Sequence, residues 1–109
     1  MAYYAIVDVQ VTDDSWIPDY AANVHDIVHK HDGKYLSRSS NITTLEGEPS
    51  SASMIVLIEF PTMEAVQAFC ADPEYVPYGE ARRAGSVSNF HVIDSTDAAG
   101  TIPYLEKGG

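Results

Sequence analysis

The sequence predicts an α+β domain in which a four-stranded antiparallel sheet carries helices on one face. Segments 3–11 and 86–94 alternate apolar and polar residues, as half-buried strands do. Segment 54–62 is an apolar strand that reaches a carboxylate at Glu59 and then leads into a helix. Segments 16–31 and 62–71 repeat apolar residues three and four positions apart, as amphipathic helices do. Strands and helices of these lengths fit one α+β unit.

Bulk composition narrows the classes of partner. The chain has 109 residues, of which 45% are hydrophobic, enough for one core. Its net charge of -10 opposes nucleic-acid binding. No apolar run approaches the roughly 20 residues that span a bilayer, and the first residues lack the pattern of a signal peptide. We therefore expect a soluble, cytoplasmic protein without nucleic-acid or membrane partners, in which the lone Cys70 is a reduced core thiol.

The first half of the chain predicts a strand, a helix and a second strand. Residues 12–15 supply turn and N-cap chemistry before the helix at 16–31, and Pro18 is tolerated in its first turn. Asp32 and Gly33 end that helix, because glycine accepts the left-handed conformation that commonly follows a helix. Residues 34–44 then predict a strand, joined by the loop 45–51 as a long hairpin to the strand that follows.

The second half repeats the pattern. Thr62 is the expected cap of a helix that ends before Asp72 and Pro73. The piece 74–83 is expected to be irregular or helical, interrupted by Pro77 and Gly79, and 86–94 forms the last strand.

This order of elements is that of the ferredoxin-like βαββαβ fold. Right-handed crossovers place both helices on one face, so the other face of the sheet is bare. That face is too apolar to meet water, which predicts a homodimer with facing sheets. We expect a domain at 1–94 and a tail at 95–109, whose apolar segment 102–105 packs on the partner subunit or over a pocket. The apolar residues of the bare face are Tyr4, Ile6, Leu36, Ile55 and Leu57.

Four segments resemble a known family in order and spacing. They read GKYLSR at 33–38, LEG at 45–47, VLIEFPT at 56–62 and DPEY at 72–75. Over about residues 2–94 the chain resembles domain-of-unknown-function family 1330, of the dimeric α+β barrel superfamily. The resemblance implies a dimer of ferredoxin-like units that enclose small cavities between sheet and helices. Its superfamily includes cofactor-free monooxygenases, dehydratases, isomerases and plain ligand binders.

Candidate site residues gather on the sheet face away from the helices. His91 lies on the strand beside the first one, so Asp8 could orient its imidazole as a general base. The alternatives are that His91 is a hydrogen-bonded interface residue and that Asp8 pairs with a second subunit. The candidates on this face are Tyr4, Asp8, Arg38, Glu59, Asn89 and His91.

An arginine and a glutamate are expected to meet across the hairpin. Arg38 and Glu59 lie within about one diagonal pair, close enough for an ion pair. Arg38 would then hold a substrate carboxylate or enolate by bidentate hydrogen bonds, or the pair would only stabilise a dimer. Tyr4 and Asn89 could donate hydrogen bonds to a developing oxyanion.

Other polar residues have weaker patterns. Tyr75 and Tyr78 either line the pocket mouth or pack over the second helix. His25 and His29 share a helix face, but two ligands do not make a metal site, so no metal or other cofactor is predicted.

Together these residues predict a small cofactor-independent enzyme. It would act by acid/base chemistry on an aromatic or polyketide-like small molecule, as an isomerase, cyclase or dehydratase. The alternatives are a cofactor-free monooxygenase and a dimeric ligand-binding or accessory protein without turnover. The preference for an enzyme rests on the superfamily resemblance.

Overall fold

The structure is a computed structural model that describes residues 1–100 of the chain. The predicted tail segment 102–105 lies outside the described residues. No helix within residues 1–100 has the length and hydropathy to cross a bilayer. The described elements, in chain order, are β1 (Tyr3–Val11), a 3₁₀ turn (Asp14–Trp16), α1 (Ile17–Lys30), β2 (Lys34–Ser39), β3 (Met54–Phe60), α2 (Met63–Ala71), α3 (Val76–Ala84) and β4 (Ser86–Asp94).

The four strands form one antiparallel sheet in the order β2-β3-β1-β4. The two central strands, β3 and β1, are neighbours in the sheet although α1 and β2 lie between them in the chain. This is the ferredoxin-like arrangement, so the predicted α+β fold class is confirmed.

The alternation of β1 defines the two faces of the sheet. Ala5, Val7 and Val9 are buried and point toward the helices, so their side is called the helix face. Ile6 and Asp8 are only half-buried and point the other way, to what is called the open face. The helix face is covered by apolar side chains of α1 and α2, namely Val24, Ile27, Val28, Val66 and Phe69.

An irregularity in β2 changes which of its residues reach which face. Tyr35 is paired with Ile58 and Ser37 with Leu57, so one extra residue, Leu36, is inserted between two consecutive pairs. Such a bulge shifts every later side chain of the strand to the opposite face. Arg38 is consequently paired with Val56, a buried residue of the helix face.

The strand itself is shorter than predicted. β2 ends at Ser39 rather than near residue 44, and residues 40–53 form no regular element. Ser39 is paired with Ile55, and only Met54 precedes Ile55 in β3, which begins where it was predicted to begin. Residues beyond the end of β2 therefore have no strand with which to pair.

The helix ends follow ordinary capping rules. The hydroxyl of Thr62 accepts a hydrogen bond of 3.0 Å from the backbone N–H of Ala65, which confirms the predicted cap of α2. The predicted interruption of the next piece is wrong, because α3 runs without a break. Pro77 lies in its first turn, where no intrahelical N–H is needed, and Gly79 faces the Tyr75 ring.

One sequence expectation about the core is also wrong. Cys70 is exposed rather than buried. It follows Phe69, which is buried, and successive residues of a helix point about 100° apart around its axis. The buried stripe of α2 therefore leaves the thiol outside the core.

A buried carboxylate ties the end of α1 to the loop before α3. One oxygen of Asp72 lies 2.7 Å from His31 Nε2 and 2.9 Å from Lys30 Nζ, and the other accepts the Glu74 backbone N–H at 2.8 Å. Hydrogen bonds from His31 and Lys30 hold the pKa of this carboxyl well below its ordinary value. The cluster fixes the loop from which α3 begins.

Candidate functional site

A cavity of about 260 Å³ lies between α1 and the helix face of the sheet. It is somewhat smaller than the pockets of about 300–1,000 Å³ that take drug-sized ligands, so its ligand is expected to be small. Most of its wall is apolar and comes from the middle of the strands and from one side of α1. The apolar residues of the wall include Val7, Val9, Val24, Met54, Val56, Ile58 and Phe90.

Three polar side chains form what we call the mouth cluster: His25, Tyr35 and Arg38. The His25 ring is stacked on Tyr35, with centroids 5.2 Å apart and planes at 2°. The Arg38 guanidinium carbon lies 4.0 Å from the centre of the same tyrosine ring. Arg38 is exposed and yet lines the cavity, so the cluster lies where the cavity meets solvent.

A second group, which we call the inner cluster, consists of Tyr20, Tyr75 and Arg82. The two tyrosine hydroxyls are 3.1 Å apart. Arg82 and Tyr75 are 6% and 3% exposed, so this cluster is almost closed to water. Tyr20 and Arg82 line the cavity, and Tyr75 lies behind Tyr20.

The cavity has an electrostatic character opposite to that of the chain. Among the described residues that line it are two arginines and one histidine but no aspartate or glutamate, although the chain carries a net charge of -10. Burial, followed by the neighbouring Tyr75, raises the pKa of Tyr20, and burial raises that of Tyr35 against the opposing effect of Arg38. Both phenols therefore remain protonated hydrogen-bond donors.

The single tryptophan of the chain lies at this cavity. Trp16 lines it and meets Tyr20 edge to face at 5.2 Å. Its indole N–H donates to the backbone carbonyl of Gly85 at 3.2 Å, and a methyl group at Gly85 would come within 2.3 Å of the indole ring. The indole is thus held in position at the cavity wall, so its fluorescence is expected to change when the cavity is occupied.

Most of the residues predicted for the site lie on the opposite side of the sheet. β1, β3 and β4 place them on the open face, facing away from the cavity. Asn89 donates a hydrogen bond of 2.9 Å to Asp8, with which it is paired. These two also border a second, polar hollow under residues 49–52. The predicted residues on the open face are Tyr4, Asp8, Glu59, Asn89 and His91.

The predicted pairing of Asp8 with His91 is wrong. His91 is paired with Ile6, two positions from Asp8, and its side chain is exposed. Within residues 1–100 the His91 imidazole has no hydrogen-bond partner, whereas Asp8 is held by Asn89. The register of β1 and β4 therefore places Asp8 opposite Asn89, whose side-chain amide binds its carboxylate.

Arg38 is on the other face from the one predicted. Strict alternation along β2 places it on the open face beside Glu59, but the bulge at Leu36 moves it to the helix face. The expected ion pair is therefore wrong. In the strand register Glu59 lies opposite Lys34 of β2 and Tyr4 of β1. Of the eight predicted residues, Arg38 is the one that lines the cavity.

The two tyrosines of the predicted pocket mouth do not line the cavity. Tyr75 is buried and packs against Phe69 of α2 with ring centroids 4.2 Å apart. Tyr78 contacts Tyr20 edge to face at 6.5 Å. The contact of Tyr75 with α2 corresponds to the packing alternative, whereas Tyr78 packs against α1.

Sequence reasoning missed His25, Tyr35 and Arg82. The sequence pattern singles out His25 only as one of two histidines on a helix face, although it directly follows Val24, which belongs to the apolar stripe. Arg82 lies seven residues after Tyr75 and three after Gly79, at helical spacing on the buried side of α3. This spacing indicates a buried position only if α3 is taken as one continuous helix.

The histidine pair on α1 has no further ligands nearby. The His25 and His29 rings lie 4.2 Å apart, edge to face. Within the part of the chain that the structure describes, no three His, Cys, Asp or Glu side chains are grouped to hold a metal ion.

The sheet order and the cavity under α1 define a small ferredoxin-like α+β protein with an internal ligand-sized space. The chain belongs to the family described as Domain of unknown function (DUF1330), whose model matches residues 2–96. No curated protein matches the sequence.

Several solved structures share the fold. A protein of unknown function from Rhodopseudomonas palustris, RPA0582, is similar with a TM-score of 0.75 at 14% identity, over 88% of this chain and 83% of that one. SnoaB, a cofactor-independent oxygenase from Streptomyces nogalater, has a TM-score of 0.61 at 15% identity over 88% and 94%. A dimeric protein of ferredoxin-like fold and unknown function from Bacteroides fragilis has 0.51 at 14% over 85% and 95%. At such identities these structures establish the fold alone.

Proposed function

We propose that this protein is a small cofactor-independent enzyme that moves a proton on an aromatic or polyketide-like molecule held between α1 and the sheet. The observation that carries the proposal is the composition of the cavity wall. Apolar side chains provide most of its surface, and the polar groups that reach it include an imidazole and two guanidinium groups but, within residues 1–100, no carboxylate. Such a wall favours a flat apolar molecule that is, or becomes, negatively charged.

His25 is the proposed general base. It lines the cavity, is only partly buried, and is held by the Tyr35 ring, so its imidazole is both oriented and accessible. Imidazole is the side chain most often used for proton transfer near neutral pH. The C–H bond next to a substrate carbonyl breaks, the proton passes to neutral His25, and the electron pair delocalises onto the carbonyl oxygen. Where the deprotonated carbon also adjoins a carbon–carbon double bond, the charge extends over a dienolate, and return of the proton to its far carbon completes an isomerisation.

The enolate oxygen formed in this step needs hydrogen-bond donors. Arg38 contacts the same Tyr35 ring as His25, so the guanidinium of the mouth cluster is the donor proposed for this oxygen. Donors fixed in a cavity of low polarity stabilise such an oxygen more strongly than water does.

A second candidate function is a cofactor-free monooxygenase. The apolar, aromatic-rich wall favours it, because a carbanion that is shielded from water persists long enough to meet oxygen. In that reaction a methylene group and O₂ give a carbonyl group and water, without an added reductant. SnoaB, a cofactor-independent oxygenase, has the same fold. A third possibility, binding without turnover, uses the same cavity.

We also propose that the open face is the interface of a homodimer. Ile6, Leu57 and Ile55 lie in adjacent strands at its centre, where a second copy would remove them from water. His91 and the Asp8–Asn89 pair would then be interface residues. The dimeric ferredoxin-like protein from B. fragilis supports such an assembly.

The experiment that tests the function uses 2-indanone, a bicyclic ketone with exchangeable protons beside its carbonyl. Binding is followed by Trp16 fluorescence, and exchange of those protons for deuterium in D₂O by NMR, with an oxygen electrode run in parallel. Protein-dependent exchange supports the acid/base enzyme, and protein-dependent oxygen uptake supports the oxygenase. A change in Trp16 fluorescence without either reaction favours the binder, and no change at all contradicts the proposal.

A further inference from the structure

Arg82 is the one buried cation that lines the cavity in the described part of the chain. It lies in the last turn of α3 and is 6% exposed. The Ser86 hydroxyl donates to its backbone carbonyl, and its own Nη1 donates to the Ser88 hydroxyl on β4. Residues at the start of β4 thus hold both the backbone and the side chain of Arg82 in place.

The guanidinium is not neutralised by any described residue. The ion pairs within residues 1–100 join Asp72 or Glu74 to Lys30 and His31, and none of them includes Arg82. Its Nε is buried without a hydrogen-bond partner. A buried guanidinium without a counter-ion is destabilising by itself, so its presence beside a cavity points to a missing anion.

The group nevertheless keeps its charge. Burial alone would lower the pKa of Arg82, but the oxygens of Tyr75 and Tyr20 outweigh burial and raise it. Arginine also stays protonated in proteins because its unperturbed pKa is so high. A bound ligand therefore meets a full positive charge in a site of low polarity.

The two tyrosines add a further donor. Their hydroxyls share one hydrogen bond of 3.1 Å, so one hydroxyl donates to the other and the second retains a free O–H. The neighbouring guanidinium has no acceptor for it. Within the described residues, the inner cluster thus offers several hydrogen-bond donors and no anionic acceptor.

A carboxylate has the complementary shape. Its two oxygens accept parallel N–H bonds from a guanidinium and have a lone pair left for a hydroxyl. The remainder of the cavity, with Val9, Val24 and Phe90, fits an apolar ring. Arg82 and Arg38 lie near opposite edges of the sheet on its helix side, Arg82 next to β4 and Arg38 on β2, with two strands between. One molecule in the cavity would therefore have its charged end at one of them.

We propose that the inner cluster is a carboxylate-binding site, and that the natural ligand is a small aromatic or alicyclic carboxylic acid whose carboxylate pairs with Arg82 and Tyr20. This inference rests on the proposed function, since it names the class of molecule that the cavity takes. It assigns the inner end of the cavity to binding and leaves proton transfer to the mouth cluster.

The test compares indane-2-carboxylate with its neutral carboxamide, which has nearly the same shape. Trp16 fluorescence gives the affinity of each for the wild-type protein, because neither compound absorbs where tryptophan is selectively excited. We expect the carboxylate to bind at least about tenfold more tightly, since hydrogen bonds to charged groups are stronger than those between neutral groups. Equal affinities would overturn the inference and leave the proposed function standing, whereas binding of neither compound would overturn both.

The residue is assigned by substitution. Arg82→Met replaces the side chain by an apolar one of similar length, and Arg83→Met makes the same change at the exposed neighbour. The carboxylate preference is expected to disappear in Arg82→Met and to persist in Arg83→Met, with circular dichroism confirming the fold of each. Persistence of the preference in folded Arg82→Met would contradict the assignment. If Arg82→Met does not fold, Arg82→Lys is used, and an unchanged preference there would contradict the bidentate site.

Discussion

The guanidinium carbon of Arg38 lies 4.0 Å from the centre of the Tyr35 ring, on the same face of the sheet as the helices. This contact exists because the bulge at Leu36 reverses the direction of Arg38. Cation–π contacts of this kind at exposed sites contribute about 0.5–1 kcal/mol. A double-mutant cycle of Arg38→Ala and Tyr35→Leu, measured by urea unfolding, should give a coupling free energy in that range. Additive effects of the two substitutions would place Arg38 away from the ring.

His25 of α1 lies at the cavity, and His91 of β4 lies on the open face of the sheet. Substitution of each therefore tests which of the two sides holds the active site. His25→Gln should lower protein-dependent deuterium exchange in 2-indanone by about 10²-fold, because a general base contributes about 10²–10⁴ to a rate. His91→Gln is the matched control and should leave the exchange rate unchanged, since its side chain is on the open face. A loss of exchange in His91→Gln but not in His25→Gln would place proton transfer on the open face.

The oligomeric state depends on the centre of the open face. Leu57→Glu places a charge there, between Ile6 and Ser37 of the neighbouring strands. We expect the wild-type protein to elute with twice the mass of one chain in light-scattering chromatography, and the variant with the mass of a monomer. Leu45→Glu, which is the same change at a loop position that is 94% exposed, should remain dimeric. A monomeric wild-type protein would contradict the proposed interface.

Acid should weaken the link between α1 and the loop before α3. The pKa of Asp72 is held well below its ordinary 3.8 by His31 and Lys30. Since the folded state binds this proton less readily than the unfolded state does, the stabilisation is complete above pH 3.8 and is lost as the pH falls toward the lowered pKa. Asp72→Asn should therefore melt several degrees below the wild type at neutral pH, and the difference should shrink in acid. A difference that does not depend on pH would mean that the charge of Asp72 is not what stabilises the link.

Fold and site differ in how far the sequence predicts them. The alternation of β1, the Thr62 cap and the order of elements depend on local patterns, and they predict the sheet and its two faces. The position of Arg38 depends on how β2 pairs with β3, because the bulge at Leu36 leaves no local trace in the alternation of a short polar strand. Pro77 and Gly79 suggest a break in α3, and this is why Arg82 was missed. Only in a continuous helix does its spacing of three residues from Gly79 place it on the buried side.

The location of the candidate site also depends on packing. The residues predicted from strand alternation share the open face, whereas the cavity wall is mostly apolar and contains residues that a sequence pattern assigns to the core. Val24 and Val56 illustrate the difficulty, since both are core residues and cavity residues at once. Which core positions border an empty space is decided by packing in three dimensions.

Binding of the ligand between α1 and the helix face of the sheet is tested most directly by methyl NMR of the protein titrated with indane-2-carboxylate. Shifts are expected at Val7, Val24 and Val56, which line the cavity, with the methyl signals of Ile6 and Leu57 unaffected. Shifts confined to Ile6 and Leu57 would place the ligand on the open face and contradict binding in the cavity.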